Sequence, residues 1–101
     1  MSNYKIIYSE VSKEDLVSIV NFYKNIDISL GISLKEEVYR VEKIIKENPE
    51  IYKVRFDNVR RVNLKTFPFC IFYEIEKDIK FLRILHQSRD PINWPFYQND
   101  I

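Results

Sequence analysis

A chain of 101 residues, 46% hydrophobic and 15% aromatic, holds enough apolar material to close one core and too little length for two. With 31% charged residues, one glycine and four prolines it has neither linker nor disordered composition, and no run approaches the roughly 20 apolar residues of a membrane span. A net charge of +1 speaks against direct DNA binding, and one cysteine with one histidine is too little for an internal disulfide or a structural zinc site.

The start, MSNYKIIYSE, has no basic segment followed by an apolar stretch, so a cytoplasmic chain without a signal peptide is expected. Charge is uneven along it. Residues 1–50 hold 7 Lys+Arg against 9 Asp+Glu, net −2, and residues 51–101 hold 9 against 6, net +3. Between Lys53 and Lys65, five cations (Lys53, Arg55, Arg60, Arg61 and Lys65) face only Asp57, a density that attracts phosphate or an acidic partner if the side chains share a face.

Residues 4–8 (YKIIY) have the β-branched and aromatic content of a first strand. Ser12 offers a side-chain oxygen to the free N–H groups of a helix start, with Asp15 near the positive dipole end and Val11 stapled to Leu16. Leu16, Ile19, Val20 and Tyr23 then form one apolar stripe that fades near Ile26. Residues 27–32, with the only glycine, Gly31, suit a turn. Ser33 and Glu36 have capping-box spacing, and Leu34, Val38, Val41 and Ile45 form a second stripe ending at Asn48-Pro49. Two helices packed as a hairpin are predicted.

After Pro49 the period becomes strand-like. Arg61 and Asn63, with Lys65, fall on one face and Arg60, Val62 and Leu64 on the other. Residues 69–76 (FCIFYEIE) and 79–87 (IKFLRILHQ) are apolar at most positions, as central strands are, and Lys77-Asp78 suits a tight hairpin. The order strand-helix-helix-strand-strand-strand predicts an α+β domain, residues 1–101, with the helical hairpin on one face of a four-stranded, mainly antiparallel sheet and the opposite face left for function. Residues 93–101 carry too little pattern to assign.

Candidate chemistry is sparse. One glycine leaves no phosphate-binding loop, nucleophile elbow or dinucleotide fingerprint. Cys70, inside FPFCIFY, is expected buried and inert. His86 ends a strand before a polar segment, where it is either a proton-transfer group or a packed, hydrogen-bonded ring. Arg61, Lys65, Arg83 and Arg89 have the chemistry of a phosphate or carboxylate clamp; a solvated surface is the competing reading, and for Arg83 a salt bridge under the sheet edge. Trp94, Phe96 and Tyr97 either stack on bases or anchor the tail on the core, and the second is favoured.

Taken together, Asn48-Pro49, Tyr52, the run Arg60-Arg61-Val62-Asn63-Leu64-Lys65-Thr66-Phe67-Pro68-Phe69, then Ile71-Phe72-Tyr73, and the close His86-Gln87-Ser88-Arg89-Asp90-Pro91 with Trp94 resemble the ParE branch of the RelE/ParE toxin superfamily. The likeness spans about residues 3–95. It implies a growth-inhibiting toxin of a bacterial type II toxin–antitoxin module, of the plasmid-stabilisation type, neutralised by a cognate antitoxin whose tail wraps the sheet and helices. No cofactor and no metal are expected.

The superfamily contains both DNA gyrase poisons and ribosome-dependent messenger RNA endonucleases. Nuclease members need a phosphate-clamping arginine on the strand at residues 69–76; in the Tyr73 register that place falls to Cys70 or Phe69. Lys53 and Arg55 resemble the nuclease branch's lysine pair, and Arg89 its C-terminal arginine. The expectation is therefore a ParE-like toxin that inhibits gyrase by binding, with Arg60, Arg61, Lys65, Arg89 and Trp94 as antitoxin or target contacts. The alternatives are an endonuclease acting on ribosome-bound mRNA through His86, Arg61 and Arg89, and an inactive relative that only binds an antitoxin.

Overall fold

The computed structural model describes residues 4–89. In chain order the elements are β1 (Ile6–Tyr8), α1 (Glu10–Ile26), α2 (Ile28–Glu47), β2 (Val54–Phe56), β3 (Val59–Asn63), β4 (Phe69–Ile75) and β5 (Ile79–His86). The predicted helix–helix–sheet order holds, with one strand more than expected. Phe56 pairs with Val59 across a turn in which Asp57 takes φ 48°, a left-handed conformation that aspartate tolerates better than most residues, and β2 joins the sheet edge through it. The five strands lie in the order β1-β5-β4-β3-β2; β1 runs parallel to β5 and the other neighbours are antiparallel.

Both helices start earlier than predicted. Ser9 caps α1: its Oγ accepts from the Ser12 N–H at 3.1 Å and also donates to the Leu82 carbonyl at 3.0 Å. Ser12 itself lies inside the first turn, fully buried, its hydroxyl donating to the Ser9 carbonyl. Asp27 alone separates the helices. Its N–H closes α1 on the Tyr23 carbonyl, and its carboxylate accepts from the Ser29 hydroxyl at 2.8 Å and the Ser29 N–H at 2.9 Å, bonds that hold the carboxyl below its usual range. Residues 27–32 are thus not a turn, and Ser33 and Glu36 sit inside α2. Gly31 is there for close packing: a Cβ would meet the Val20 carbonyl oxygen at 3.1 Å and Lys24 Cγ at 2.3 Å.

The hairpin covers one face of the sheet. Val20 of α1 and Leu34, Val38, Val41 and Ile45 of α2 pack with Val62, Ile71, Tyr73, Ile79, Phe81 and Ile84 into the main core. Strand alternation sends Val59, Cys70, Phe72 and Leu85 to the other face, where Phe56 and Leu82 join them in a second, smaller cluster. Where β4 and β5 slip register at Phe72/Tyr73, β5 carries the extra residue Leu82, and next to this bulge Arg83 reaches Asp15 of α1.

Candidate partner-binding face

The second face holds Arg61. Arg61 lies over the Phe72 ring, 5.6 Å from its centroid; its Nε donates to Asn63 Oδ1 at 2.9 Å and its Nη2 to the Gln87 carbonyl at 3.1 Å. That arrangement fixes a half-buried guanidinium above an apolar floor. Beneath it Cys70 is fully buried, and burial pushes its thiol up while the positive charges of Arg61 and Arg55 pull against the shift. The floor therefore contains an inert thiol, as the sequence suggested, and two arginines act on it.

The remaining cations do not form a single patch with Arg61. Arg60 turns to the opposite side of β3, where its Nη1 donates to the Tyr52 carbonyl at 2.7 Å and the Glu50 carbonyl at 3.4 Å. Period-two alternation splits the Arg60-Arg61 pair, so Arg60 belongs to the loop before β2 and not to the open face. Lys65 lies beyond the end of β3, exposed, in the turn leading to β4. Arg89 is exposed after β5, its N–H closing a turn on the His86 carbonyl at 2.9 Å. Arg83 is taken up by Asp15, Nε to Oδ2 at 2.9 Å and Nη2 to Oδ1 at 3.2 Å, which is the salt bridge weighed above against a clamp. Trp94, Phe96 and Tyr97 lie outside the described residues.

His86 faces the hairpin side. Its ring stands edge-on to Phe69 with centroids 5.5 Å apart, at the rim of a cleft of about 490 Å³ lined by Ser18, Ile19, Phe22, Tyr23 and Pro68. Nδ1 accepts the Ser88 N–H at 3.2 Å and lies 2.8 Å from the Ser88 hydroxyl, so a neutral ring carries its proton on Nε2. Arg61 and His86 thus sit on opposite faces of one sheet.

A larger cleft of about 680 Å³ opens between Tyr8, Leu16 and α2 residues Ile32 to Glu42. Tyr8 donates a very short hydrogen bond to the Glu42 carboxylate there, and burial, then that bond, push its phenol well above the usual range. Three features went unseen in the sequence. They are this Tyr8–Glu42 contact, the Gln87 side chain that donates to the Leu64 and Phe69 carbonyls, and Glu37 on the buried side of α2. Only Glu37 left a readable signal, a carboxylate in step with Leu34, Val38, Val41 and Ile45.

The family model for the ParE toxin of the type II toxin–antitoxin system, parDE, matches residues 6–91. The chain belongs to this ParE toxin family. No curated protein matches it significantly in sequence. Among solved structures it is similar to a chain described as the chromosomal ParDE TA system from P. aeruginosa, with a TM-score of 0.71 at 17% identity, over 82% of this chain and 95% of that one. At that identity the likeness is one of fold, the two helices and five strands described above. Among the described residues of this ParE-family toxin, no helix is long and apolar enough to cross a membrane, and no cluster of three or more His, Cys, Asp or Glu could hold a metal ion.

Proposed function

We propose that this ParE-family chain acts by binding rather than by cutting, that its target is DNA gyrase, and that a cognate antitoxin holds it inactive in the bacterial cytoplasm. One observation carries the reading. Where a nuclease relative needs a phosphate-clamping arginine, this chain has the buried Cys70, and two of the three residues an endonuclease would use here, Arg61 and His86, are divided between two faces of the sheet. Cleaving RNA through the 2′-hydroxyl requires a base, an acid and a cation around one phosphate. A binding toxin requires only a complementary surface, and Arg61 over Phe72 with Arg55 nearby supplies a cationic, aromatic one.

Supercoiling by purified gyrase is expected to fall as the toxin is added in excess, while messenger RNA in a translation extract stays intact. Unchanged supercoiling overturns the gyrase reading. Codon-phased cuts lost in His86→Ala would establish the mRNA endonuclease instead, and normal growth on expression without a partner would establish an inactive relative.

For the antitoxin, the outer side of α2 is the matching surface: Ile28, Ile32 and Tyr39 are exposed there beside Lys35 and Lys43. An amphipathic acidic segment fits it, with Arg89 as a further cationic contact, while Lys65 joins Arg61 as a contact to the target.

A further inference from the structure

Glu37 is the one buried carboxylate among the described residues, at 6% exposure, and no lysine or arginine pairs with it there. A buried carboxylate without a cation is costly unless hydrogen bonds compensate it. Here they come from the backbone of a segment 28 residues away: Oε2 accepts the Lys65 N–H at 2.5 Å and the Thr66 N–H at 3.2 Å, with Oε1 3.3 Å from the same Thr66 nitrogen. The carboxylate of α2 therefore holds two successive amides of the turn between β3 and β4.

The other side of that turn is held just as firmly. The Leu64 N–H donates to the Phe69 carbonyl at 2.9 Å, and the Gln87 N–H to the Pro68 carbonyl at 2.9 Å. The Gln87 side-chain amide bridges the Leu64 and Phe69 carbonyls at 3.2 and 3.1 Å, while the Gln87 main-chain carbonyl accepts from Arg61. The Lys65 side chain is the charged one left outside this frame: it is exposed and in no ion pair among the described residues. One connected set of hydrogen bonds runs from Glu37 through the turn and Gln87 to Arg61.

We propose that Glu37 is a positioning residue, fixing the turn so that the Lys65 side chain leaves the backbone from a set point and confines its ammonium to one side of the turn for an acidic partner surface. A turn left free would make Lys65 a mobile charge, and its ordering on binding would weaken the contact. The proposal rests on the reading of Lys65 and Arg61 as partner contacts, and its test has one arm independent of that reading.

That arm is amide exchange in the full chain. Glu37→Gln keeps the shape and one acceptor oxygen but removes the charge and turns an NH2 group toward the Thr66 N–H in place of Oε1, so exchange at Lys65 and Thr66 should quicken about ten- to a hundredfold, the loss of charge-assisted hydrogen bonding, while Ile71 and Tyr73 exchange as before. Unchanged exchange at both turn amides overturns the proposal. So does equal acceleration throughout β4, which would make Glu37 a general stabiliser.

The second arm is a cycle on gyrase inhibition with Glu37→Gln, Lys65→Ala and the double variant. If Glu37 acts through Lys65, each single change weakens inhibition and the double change adds nothing to Lys65→Ala; fully additive losses contradict it. Should the unaltered toxin leave gyrase untouched, the gyrase reading fails, and the exchange arm alone decides for or against Glu37.

Discussion

Both oxygens of Asp15 are occupied. One receives the Arg83 Nε at 2.9 Å and the Ile84 N–H at 2.9 Å, the other the Arg83 Nη2 at 3.2 Å, and the two side chains are only 14% and 20% exposed. A pair this enclosed is costly to break, because the survivor keeps its charge without a partner; Asp15→Ala should destabilise by about 3 kcal/mol, measured by denaturant unfolding. The Lys13–Glu10 pair, 3.7 Å apart and largely exposed, is the internal control, and Lys13→Ala should change stability little. Equal losses in the two variants would refute this ranking. At this scale the sequence was partly legible. Arg83 was recognisable as a salt-bridge candidate from its place between apolar strand residues, but Asp15 read as a dipole partner because its real contact lies 68 residues away and depends on a bulge. Arg60 and Arg61 were legible as alternating, yet the carbonyls that receive Arg60 belong to a loop without periodic pattern.

Among the elements, the helices were legible by their stripes and misplaced at their starts. Ser12 and Ser33 have the chemistry of caps, but so do Ser9 and Asp27, and the choice was made by tertiary contacts: Ser9 also bonds β5, and Ser12 is buried in the joint. Gly31 looked like turn punctuation and instead marks the crossing of two helices. Lys24 can move aside from an added methyl, whereas the Val20 carbonyl belongs to a helix and cannot. Gly31→Ala should therefore cost about 1–2 kcal/mol in spite of alanine's better helix propensity, seen as a lower unfolding midpoint. A gain in stability would mean that the helices can part freely. Strand β2 was missed because three residues are too few to show a period, although Asp57-Asn58 is a hairpin turn signal.

For the molecule as a whole, alternation in the central strands fixes two unlike faces. One carries the hairpin and the main core, the other a small apolar floor under Arg61. The strand-helix-helix-strand order and the free second face were readable because amphipathic helices must bury their stripes on a sheet. The parting of Arg60 from Arg61 was readable from the same alternation, but the place of Lys65 was not, since it depends on where β3 ends and how its turn is tied. The proposed function rests on that division. If the second face grips the target, its arginine is required and the imidazole on the far side is not. The most direct measurement is the dose dependence of gyrase supercoiling inhibition for Arg61→Ala beside His86→Ala. The account predicts that Arg61→Ala loses about tenfold or more in potency, the scale of one charged anchor, and that His86→Ala matches the unaltered toxin. Retained potency in Arg61→Ala with loss in His86→Ala would contradict it.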